Sequence, residues 1–321
     1  MKKFITMLFI SMFIFISACT SAPKGDVSIA MLAGPTGMGA AKLMSDNAEG
    51  KSSNNYTFTV ATSPDEVTAA VISGSVDIAA VPANLASVLY NKTEQEIQII
   101  AVNTLGVLYV LENGNSINTI SDLRGKTLYV TGQGATPEYI LKHILRENGM
   151  DSDNDVTIEY YAAHAELATL ISSGEIVLGM LPEPNVTAVL LANPNVRIAL
   201  NLTEEWNRIS GEESKLIQGC LIANKSFIKE NKLLVNSFLA EYKESIEYVN
   251  ANPEEAAQLI ADNGILSKSV VAEKAIPNCN IVYMDGDEMK TQFSGMLKIL
   301  YDANPASVGG SIPDDAFYYK K

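Results

Sequence analysis

The chain contains one pattern of residues twice, 100 positions apart, and this duplication constrains its fold more than any other feature of the sequence. Residues 72–89 read "ISGSVDIAAVPANLASVL", and residues 172–189 read "SSGEIVLGMLPEPNVTAV". In each copy a Ser-Gly turn leads into a short apolar strand, and a proline begins the helix that follows. The sequence therefore predicts the same supersecondary unit twice.

The duplication extends upstream of this unit. The segments 27–44, "VSIAMLAGPTGMGAAKLM", and 126–145, "KTLYVTGQGATPEYILKHIL", both predict a strand, a glycine-rich turn and a helix. Alternating β-rich runs follow at 56–61 and 156–161, so that each half reads β-α-β-α-β-α. This order is typical of a parallel sheet covered by helices on both faces. We predict an α/β fold with two Rossmann-like lobes of mainly parallel sheet.

The segments outside the repeats are expected to join the lobes and to complete the first one. Apolar strands are predicted at 97–103, 106–112 and 217–224. The helices predicted for the remainder span 225–251, 253–263 and 285–303. The expected division of the chain is 27–111 with 217–321 for lobe 1, and 112–216 for lobe 2. The crossings between the lobes would then form a hinge.

The first 18 residues predict a signal peptide. Lys2 and Lys3 precede an apolar stretch of 13 residues, "FITMLFISMFIFI". The following "ISAC", residues 16–19, resembles the lipobox of bacterial lipoproteins, which implies a lipid on Cys19 and a tether at 19–26. An ordinary cleavage site beside an unrelated cysteine is the alternative. On the lipoprotein interpretation, the mature protein is anchored to the outer face of a bacterial membrane.

Charge and the small number of arginines restrict the partners. The chain has 37 acidic and 23 basic residues; without the two lysines of the signal peptide the net charge is about −16, which disfavours nucleic acid. The arginines are Arg124, Arg146, Arg197 and Arg208. Because none lies in a glycine- or proline-rich loop, bidentate capture of a carboxylate is not predicted.

Glycine and proline mark four loops at the ends of predicted strands, where ligands of α/β proteins bind. These loops are 33–39, 81–84, 132–137 and 181–184. The predicted ligand-binding residues are Gly34, Pro35, Thr36, Gly37, Pro82, Ala83, Asn84, Asn103, Gly134, Ala135, Thr136, Pro182 and Glu183. Each loop precedes a helix, so four helix N-termini are expected to form one anion-tolerant clamp.

The lipobox, the duplicated α/β half and the motifs "ISGSVDIAAVP", "DLRGKTLYVTGQGATPEYIL" and "LPEPNVTAVL" resemble one family. They are similar to the extracytoplasmic substrate-binding proteins of ABC importers, in the nitrate/sulfonate/taurine and thiamine-precursor group. The resemblance covers about 27–319. It implies a type II periplasmic-binding-protein fold that closes around a small solute and delivers it to a membrane permease with its ATPase. A receptor of this kind makes or breaks no bond, and with two histidines available we expect no metal and no cofactor. We expect a monomer, because closure of the hinge leaves both outer lobe faces free for the permease.

Two other functions stay open at this point. A two-lobed biosynthetic enzyme of the thiamine-pyrimidine type resembles the same family, but the chain has only two histidines, His143 and His164. "GPTGMGAAK" has the glycine spacing of a P-loop, yet Ala40 and Ala41 replace the residues that bind phosphate and magnesium. A ligand-sensing lipoprotein is the other alternative.

The nature of the solute and several side-chain roles stay open as well. Glu183 either accepts hydrogen bonds from a nitrogenous solute or caps its own helix. The solute would be a nitrogenous heterocycle or a sulfonate. The aromatic residues considered as walls of the pocket are Tyr109, Tyr160, Tyr161 and Trp206. Cys220 and Cys279 either pair or remain separate thiols.

Overall fold

A computed structural model describes residues 24–320. The strands are β1 (Asp26–Leu32), β2 (Asn55–Ala61), β3 (Ile78–Pro82), β4 (Ile97–Leu105), β5 (Leu108–Asn113), β6 (Thr127–Thr131), β7 (Thr157–Tyr161), β8 (Leu178–Pro182), β9 (Val196–Asn201), β10 (Ile217–Asn224) and β11 (Ile281–Met284). The helices are α1 (Pro35–Met38), α2 (Ala41–Ala48), α3 (Pro64–Ile72), α4 (Ala83–Lys92), α5 (Thr136–Glu147), α6 (His164–Ser173), α7 (Asn185–Ala192), α8 (Leu202–Ser210), α9 (Lys225–Glu230), α10 (Lys232–Ala251), α11 (Pro253–Asp262), α12 (Ser269–Ala275) and α13 (Gly286–Ala303). The signal peptide and Cys19 lie outside the described residues.

The strands form two sheets, one for each lobe, and the predicted α/β fold is confirmed. The sheet of lobe 1 has the order β11-β4-β10-β3-β1-β2, and that of lobe 2 has the order β7-β6-β8-β5-β9. In each lobe the repeated β-α-β-α-β unit gives three neighbouring parallel strands. One strand from the other half of the chain, β10 or β5, then pairs antiparallel with this unit.

The chain crosses between the lobes earlier than the sequence-based boundary at 111. Strand β5 pairs with β8 and β9, so that it belongs to the sheet of lobe 2 from Leu108 onward. The crossing is therefore the two-residue step Gly106–Val107 between β4 and β5. The apolar start of β5 does not show which sheet it joins, and pairing with β8 and β9 decides this. The crossing is also tight, since a Cβ on Gly106 would lie 2.4 Å from the Thr203 hydroxyl oxygen.

The C-terminal third differs from the prediction in detail. The helix predicted at 225–251 is two helices, α9 and α10, because the chain turns at Asn231. The short helix α12 and the four-residue edge strand β11 were not predicted. Both lie between the predicted helices 253–263 and 285–303, where the sequence shows no extended periodicity.

The core is continuous across the side of the molecule where the chain crosses. Residues 211–216 connect α8 with β10, and we call them the return segment. Trp206 of α8, Leu216 of the return segment and Met296 of α13 are 0–1% exposed and belong to one apolar cluster with residues of both lobes. Helix α13 approaches the return segment so closely that a Cβ on Gly295 would lie 2.3 Å from the Glu213 carbonyl oxygen. The lobes are thus joined by side-chain packing as well as by the chain.

The structure also shows the state of the cysteines and arginines that the sequence analysis singled out. Cys220 and Cys279 are separate, fully buried thiols. The four arginines form ion pairs or hydrogen bonds with side chains away from the four loops, Arg124 with Asp155, Arg146 with Glu147, Arg197 with Glu112 and Arg208 with Glu205. Within 24–320, no helix combines the length and the apolar character that crossing a bilayer requires.

Candidate functional site

The carboxyl-terminal edges of the two sheets face each other, and we call the space between them the cleft. Strand β4 ends and β5 begins at these edges. Likewise β9 ends and β10 begins there, and α8 with the return segment connects these two strands. The chain passes between the lobes from β4 to β5 and from β9 to β10, and both passages join the same two edges. The loops that follow the parallel strands of one lobe therefore lie on the side that faces the other lobe. All four predicted ligand loops lie on these edges.

One pair of loops is connected through the turn that follows α13. Asn84 of loop 81–84 donates its amide N–H to the Ser307 carbonyl, at 3.1 Å. In the same turn Asn304 donates from Nδ2 to the hydroxyl of Tyr139 in lobe 2, at 2.7 Å. The Tyr139 hydroxyl in turn donates to the Gly134 carbonyl, at 3.0 Å. The turn 304–307 therefore brings the second loop of lobe 1 to the first loop of lobe 2.

The other pair of loops is connected through residues 265–278. The Gly34 N–H donates to the Ile265 carbonyl, at 3.0 Å. Asn278 donates from Nδ2 to Oε1 of Glu183 in lobe 2, at 3.1 Å, and its carbonyl accepts from the Tyr109 hydroxyl, at 2.7 Å. Residues 265–278 thus contact both loop 33–39 and loop 181–184, and the turn 304–307 contacts loop 81–84 and reaches loop 132–137 through Tyr139. This crosswise arrangement is the one that a duplicated unit related by a two-fold axis produces.

The buried side chain of Asn103 holds loop 33–39 through a hydrogen bond. The side chain is 1% exposed, and its Nδ2 donates to the Thr36 carbonyl at 2.9 Å and to the Tyr242 hydroxyl at 3.0 Å. Its Oδ1 accepts from the Thr104 hydroxyl, at 3.1 Å. Both ends of the amide are therefore bonded to protein, and Asn103 holds the loop in place rather than presenting a free group to the cleft.

Glu183 is buried and hydrogen-bonded by its own helix and by lobe 1. It is 2% exposed; Oε2 accepts from the Thr187 N–H at 3.0 Å, and Oε1 from the Thr187 hydroxyl at 2.9 Å. Burial raises the pKa of Glu183, against the lowering effect of the bonds from Thr187 and Asn278. Of the two roles considered for Glu183, capping of α7 describes its contacts in this structure.

The other predicted residues differ in exposure. Gly34, Pro35, Pro82, Asn84, Thr136 and Pro182 are half-buried, Gly134 and Ala135 are exposed, and Thr36, Gly37 and Ala83 are buried. Gly37 is required, since a Cβ there would lie 2.3 Å from the Leu32 carbonyl oxygen. Among the predicted ligand-binding residues, those accessible to a solute therefore offer mainly backbone groups and small side chains.

Two of the four aromatic candidates are packed into the protein. Trp206 is 0% exposed and stacks near His143, with ring centroids 5.0 Å apart. Tyr109 is 3% exposed, and its hydroxyl is bonded to the Asn278 carbonyl. Tyr160 and Tyr161 are half-buried. The other histidine, His164, begins α6 at the cleft edge, with Nδ1 2.6 Å from the Thr131 hydroxyl oxygen.

Sequence reasoning missed three residues that connect the lobes, Tyr139, Asn278 and Asn304. Each is far in sequence from its partner, so no local pattern reveals the pairing. The one signal available is Asn304-Pro305, because an asparagine before a proline is a common helix end and turn. Among residues 24–320, no cluster of His, Cys, Asp and Glu side chains suits a metal ion.

Comparison with known proteins identifies the family. The family model described as "NMT1/THI5 like" matches residues 59–256. The chain therefore belongs to the NMT1/THI5-like family, and the resemblance to the nitrate/sulfonate/taurine and thiamine-precursor group is confirmed. No curated protein matches the sequence.

Solved structures share the fold at low sequence identity. An ABC transporter protein from Parabacteroides distasonis is 23% identical, with a TM-score of 0.77 over 93% of this chain and 100% of that one. The periplasmic aliphatic sulphonate binding protein of Escherichia coli is 16% identical, with a TM-score of 0.69 over 93% of each chain. The periplasmic nitrate-binding protein of Synechocystis is 11% identical, with a TM-score of 0.56 over 87% of this chain and 80% of that one.

Proposed function

We propose that this protein is the solute-binding component of an ABC import system, which captures a small organic solute in the cleft and delivers it to a membrane permease. The observation that carries the proposal is the crosswise connection of four glycine- and proline-rich loops between two lobes joined by a short crossing. The family match and the names of two structural neighbours, a sulphonate binding protein and a nitrate-binding protein, support it. Closure of the lobes would enclose the solute.

The chemistry of the described side chains favours binding over catalysis. Burial raises the pKa of the Cys220 and Cys279 thiols, which makes them poor nucleophiles. His143 is 9% exposed and packs on Trp206, so that it does not reach the cleft. The only described histidine at the cleft edge is His164.

The lipid anchor is part of the proposal. The sequence of residues 16–19 supports lipidation of Cys19 at the outer face of the membrane. We expect a Cys19→Ala variant expressed in a bacterial host to lose incorporation of labelled palmitate and to leave the membrane fraction. The unchanged chain should keep both. Retention of the label by the variant would contradict the lipoprotein assignment.

Solute binding can be tested with two glycine variants that carry the same backbone strain. Gly134 and Gly149 both have φ +70° with open space around the Cβ position, and only Gly134 lies at the cleft. Alanine at either site costs about 1 kcal/mol or more, because a left-handed conformation disfavours a Cβ. We expect similar losses of thermal stability, but weaker solute binding only for Gly134→Ala.

The measurement is a thermal-shift screen of residues 20–321 against small solutes, followed by calorimetric titration of the compounds that stabilise the protein. Equal affinities of the Gly134→Ala and Gly149→Ala variants would place the binding site away from loop 132–137. If no small solute stabilises the unchanged protein, the solute-binding function itself is wrong.

A further inference from the structure

The corner of lobe 1 at which the described chain begins carries the most exposed large apolar side chain of residues 24–320. Leu233, the second residue of α10, is 82% exposed. The next residue, Leu234, packs against the start of the chain, because a Cβ on Gly25 would lie 2.5 Å from Leu234 Cδ1. Leu233 and Lys24 flank this contact, so both lie on one corner of the surface.

Three exposed lysines belong to this place, and we call Lys24, Lys229, Lys232 and Leu233 the N-terminal corner. None of the three lysines forms an ion pair with a residue of 24–320. Asp26 and Glu230 are exposed beside them, so the corner has a small positive excess in a chain of 37 acidic and 23 basic residues. At 0.1 M salt, carboxylates more than about 10 Å away are largely screened. The corner therefore combines an exposed apolar side chain with cations that have no carboxylate partner.

The tether is short enough to hold this corner close to a membrane. From Cys19 to Lys24 the chain advances by five residues, which span at most about 18 Å when fully extended. With the lipid of the proposed anchor on Cys19, the corner lies within about that distance of the lipid head groups. Strand β1 leads from the corner to loop 33–39, and its seven residues span about 23 Å. The corner is thus next to the membrane, and the cleft loops lie at the other end of the strand.

From this placement we infer that the N-terminal corner is a membrane-contact surface, on which Leu233 inserts among the head groups of an anionic bilayer and the three lysines bind lipid phosphates. The inference goes beyond solute binding and rests on the lipid anchor of the proposed function. Each contact is weak by itself, but the tether keeps the corner at a high effective concentration beside the bilayer. Lysine stems lie along apolar surface while their ammonium groups reach the phosphates. The consequence is one fixed orientation of lobe 1 relative to the membrane.

The test places a tryptophan on the corner of the lipidated protein, reconstituted in vesicles of phosphatidylglycerol and phosphatidylcholine with brominated acyl chains. Bromine quenches an indole only at short range, so quenching of the Leu233→Trp variant reports insertion. The chain's own Trp206 is 0% exposed in the core and gives a constant background. The matched control is Val270→Trp, because Val270 is 62% exposed and belongs to α12, which leads to Asn278 at the cleft.

We expect the vesicles to quench Leu233→Trp at least about twofold, because its side chain then lies at the acyl boundary, and to leave Val270→Trp unquenched. Adding Lys229→Gln and Lys232→Gln to Leu233→Trp should remove most of the quenching, since each lysine near an anionic surface contributes a factor of roughly five to binding. The matched pair is Lys126→Gln with Lys268→Gln, two exposed lysines elsewhere that also form no ion pair with a residue of 24–320. This pair should leave the quenching unchanged.

An unquenched Leu233→Trp variant, or equal effects of the two lysine pairs, would overturn the membrane contact and leave the proposed solute binding standing. A corner that binds a protein partner instead of lipid would give the unquenched result, because the vesicles contain no other protein. Absence of palmitate labelling from the unchanged chain would overturn the lipid anchor and this inference together. Failure of every solute to bind would overturn the proposed function without changing the quenching.

Discussion

At the scale of single residues, polar side chains near the cleft are mostly bonded within the protein. Asn103 supports loop 33–39, Asn84 is bonded to the turn 304–307, and Glu183 is bonded to Thr187 and Asn278. Each residue has the chemistry that a ligand contact requires. The sequence could predict a polar side chain at the end of a strand. It could not predict the hydrogen-bonding partner of that side chain, because the partner belongs to a distant segment of the chain.

Two buried carboxylates should give opposite dependences of stability on pH. Burial raises the pKa of Glu183, so the folded state holds this proton more tightly than the unfolded state, whose pKa is near 4.5. Its contribution to the free energy of unfolding therefore falls as pH rises above that value. Burial also acts on Glu112, but bonds from Ser116, Ile117 and Arg197 outweigh it and lower its pKa. The Glu112 contribution is full above 4.5 and is lost as pH falls.

The measurement is urea unfolding of the unchanged protein and of the Glu183→Gln and Glu112→Gln variants between pH 4 and pH 8. We expect the free-energy difference, unchanged protein minus variant, to decrease with pH for Glu183→Gln. For Glu112→Gln it should increase with pH. Two slopes of the same sign would mean that one of these carboxylates has a different environment in solution.

At the scale of elements, α13 packs directly against the return segment. A Cβ on Gly295 would lie 2.3 Å from the Glu213 carbonyl oxygen, which is backbone and cannot rotate away. Gln292, one turn earlier, donates from Nε2 to the Glu212 carbonyl at 2.9 Å. The helix and the return segment are therefore in direct backbone contact.

Because of this contact, we expect replacement of a helical glycine by alanine to lower the free energy of unfolding, which is the opposite of the usual effect. Alanine in a helix interior normally stabilises by roughly 0.5–1 kcal/mol relative to glycine. We expect Gly295→Ala to destabilise by about 1–3 kcal/mol instead, because α13 must move away from the return segment. The measurement is the urea midpoint, with Ser294→Ala as the control for the neighbouring position. A more stable Gly295→Ala variant would show that the two elements separate easily.

The elements that the sequence predicted well are those of the duplication. Their strand ends are marked by local turn chemistry, as at Ser73-Gly74-Ser75 and Gly132-Gln133-Gly134, and the copies reinforce each other at a fixed offset. Strand β11 and helix α12 have no second copy and are only four and seven residues long. The boundary of lobe 2 was misplaced because the apolar run 108–111 at the start of β5 suits either sheet, and its partner strands, not its own pattern, assign it to lobe 2.

At the scale of the whole molecule, C-terminal segments of lobe 1 provide the polar contacts between the loops of the two lobes. The lobes touch through Asn278 on one side of the cleft and through Asn304 on the other. Both asparagines belong to lobe 1, whereas their partners Glu183 and Tyr139 belong to lobe 2. The repeats supply the four loops that we propose for solute binding, and the unduplicated C-terminal region bonds to loops of both lobes.

Removing both asparagine contacts should therefore open the molecule. A net hydrogen bond contributes about 1 kcal/mol, so Asn278→Ala with Asn304→Ala should cost about 2 kcal/mol of closure. The ratio of closed to open molecules would then fall roughly 30-fold. We expect a larger radius of gyration in small-angle X-ray scattering without solute, and weaker solute binding, because binding must then supply the free energy of closure.

The control is Asn250→Ala, which removes a 2.8 Å amide bond to the Ile281 carbonyl within lobe 1. It should lower stability without changing the radius of gyration. Saturating solute should return the double variant to the compact dimensions of the unchanged protein, because the solute itself bridges the lobes in the closed state. If the double variant is as compact as the control before solute is added, apolar packing of α13 and α8 against the return segment holds the lobes together, and the two asparagines contribute little to closure.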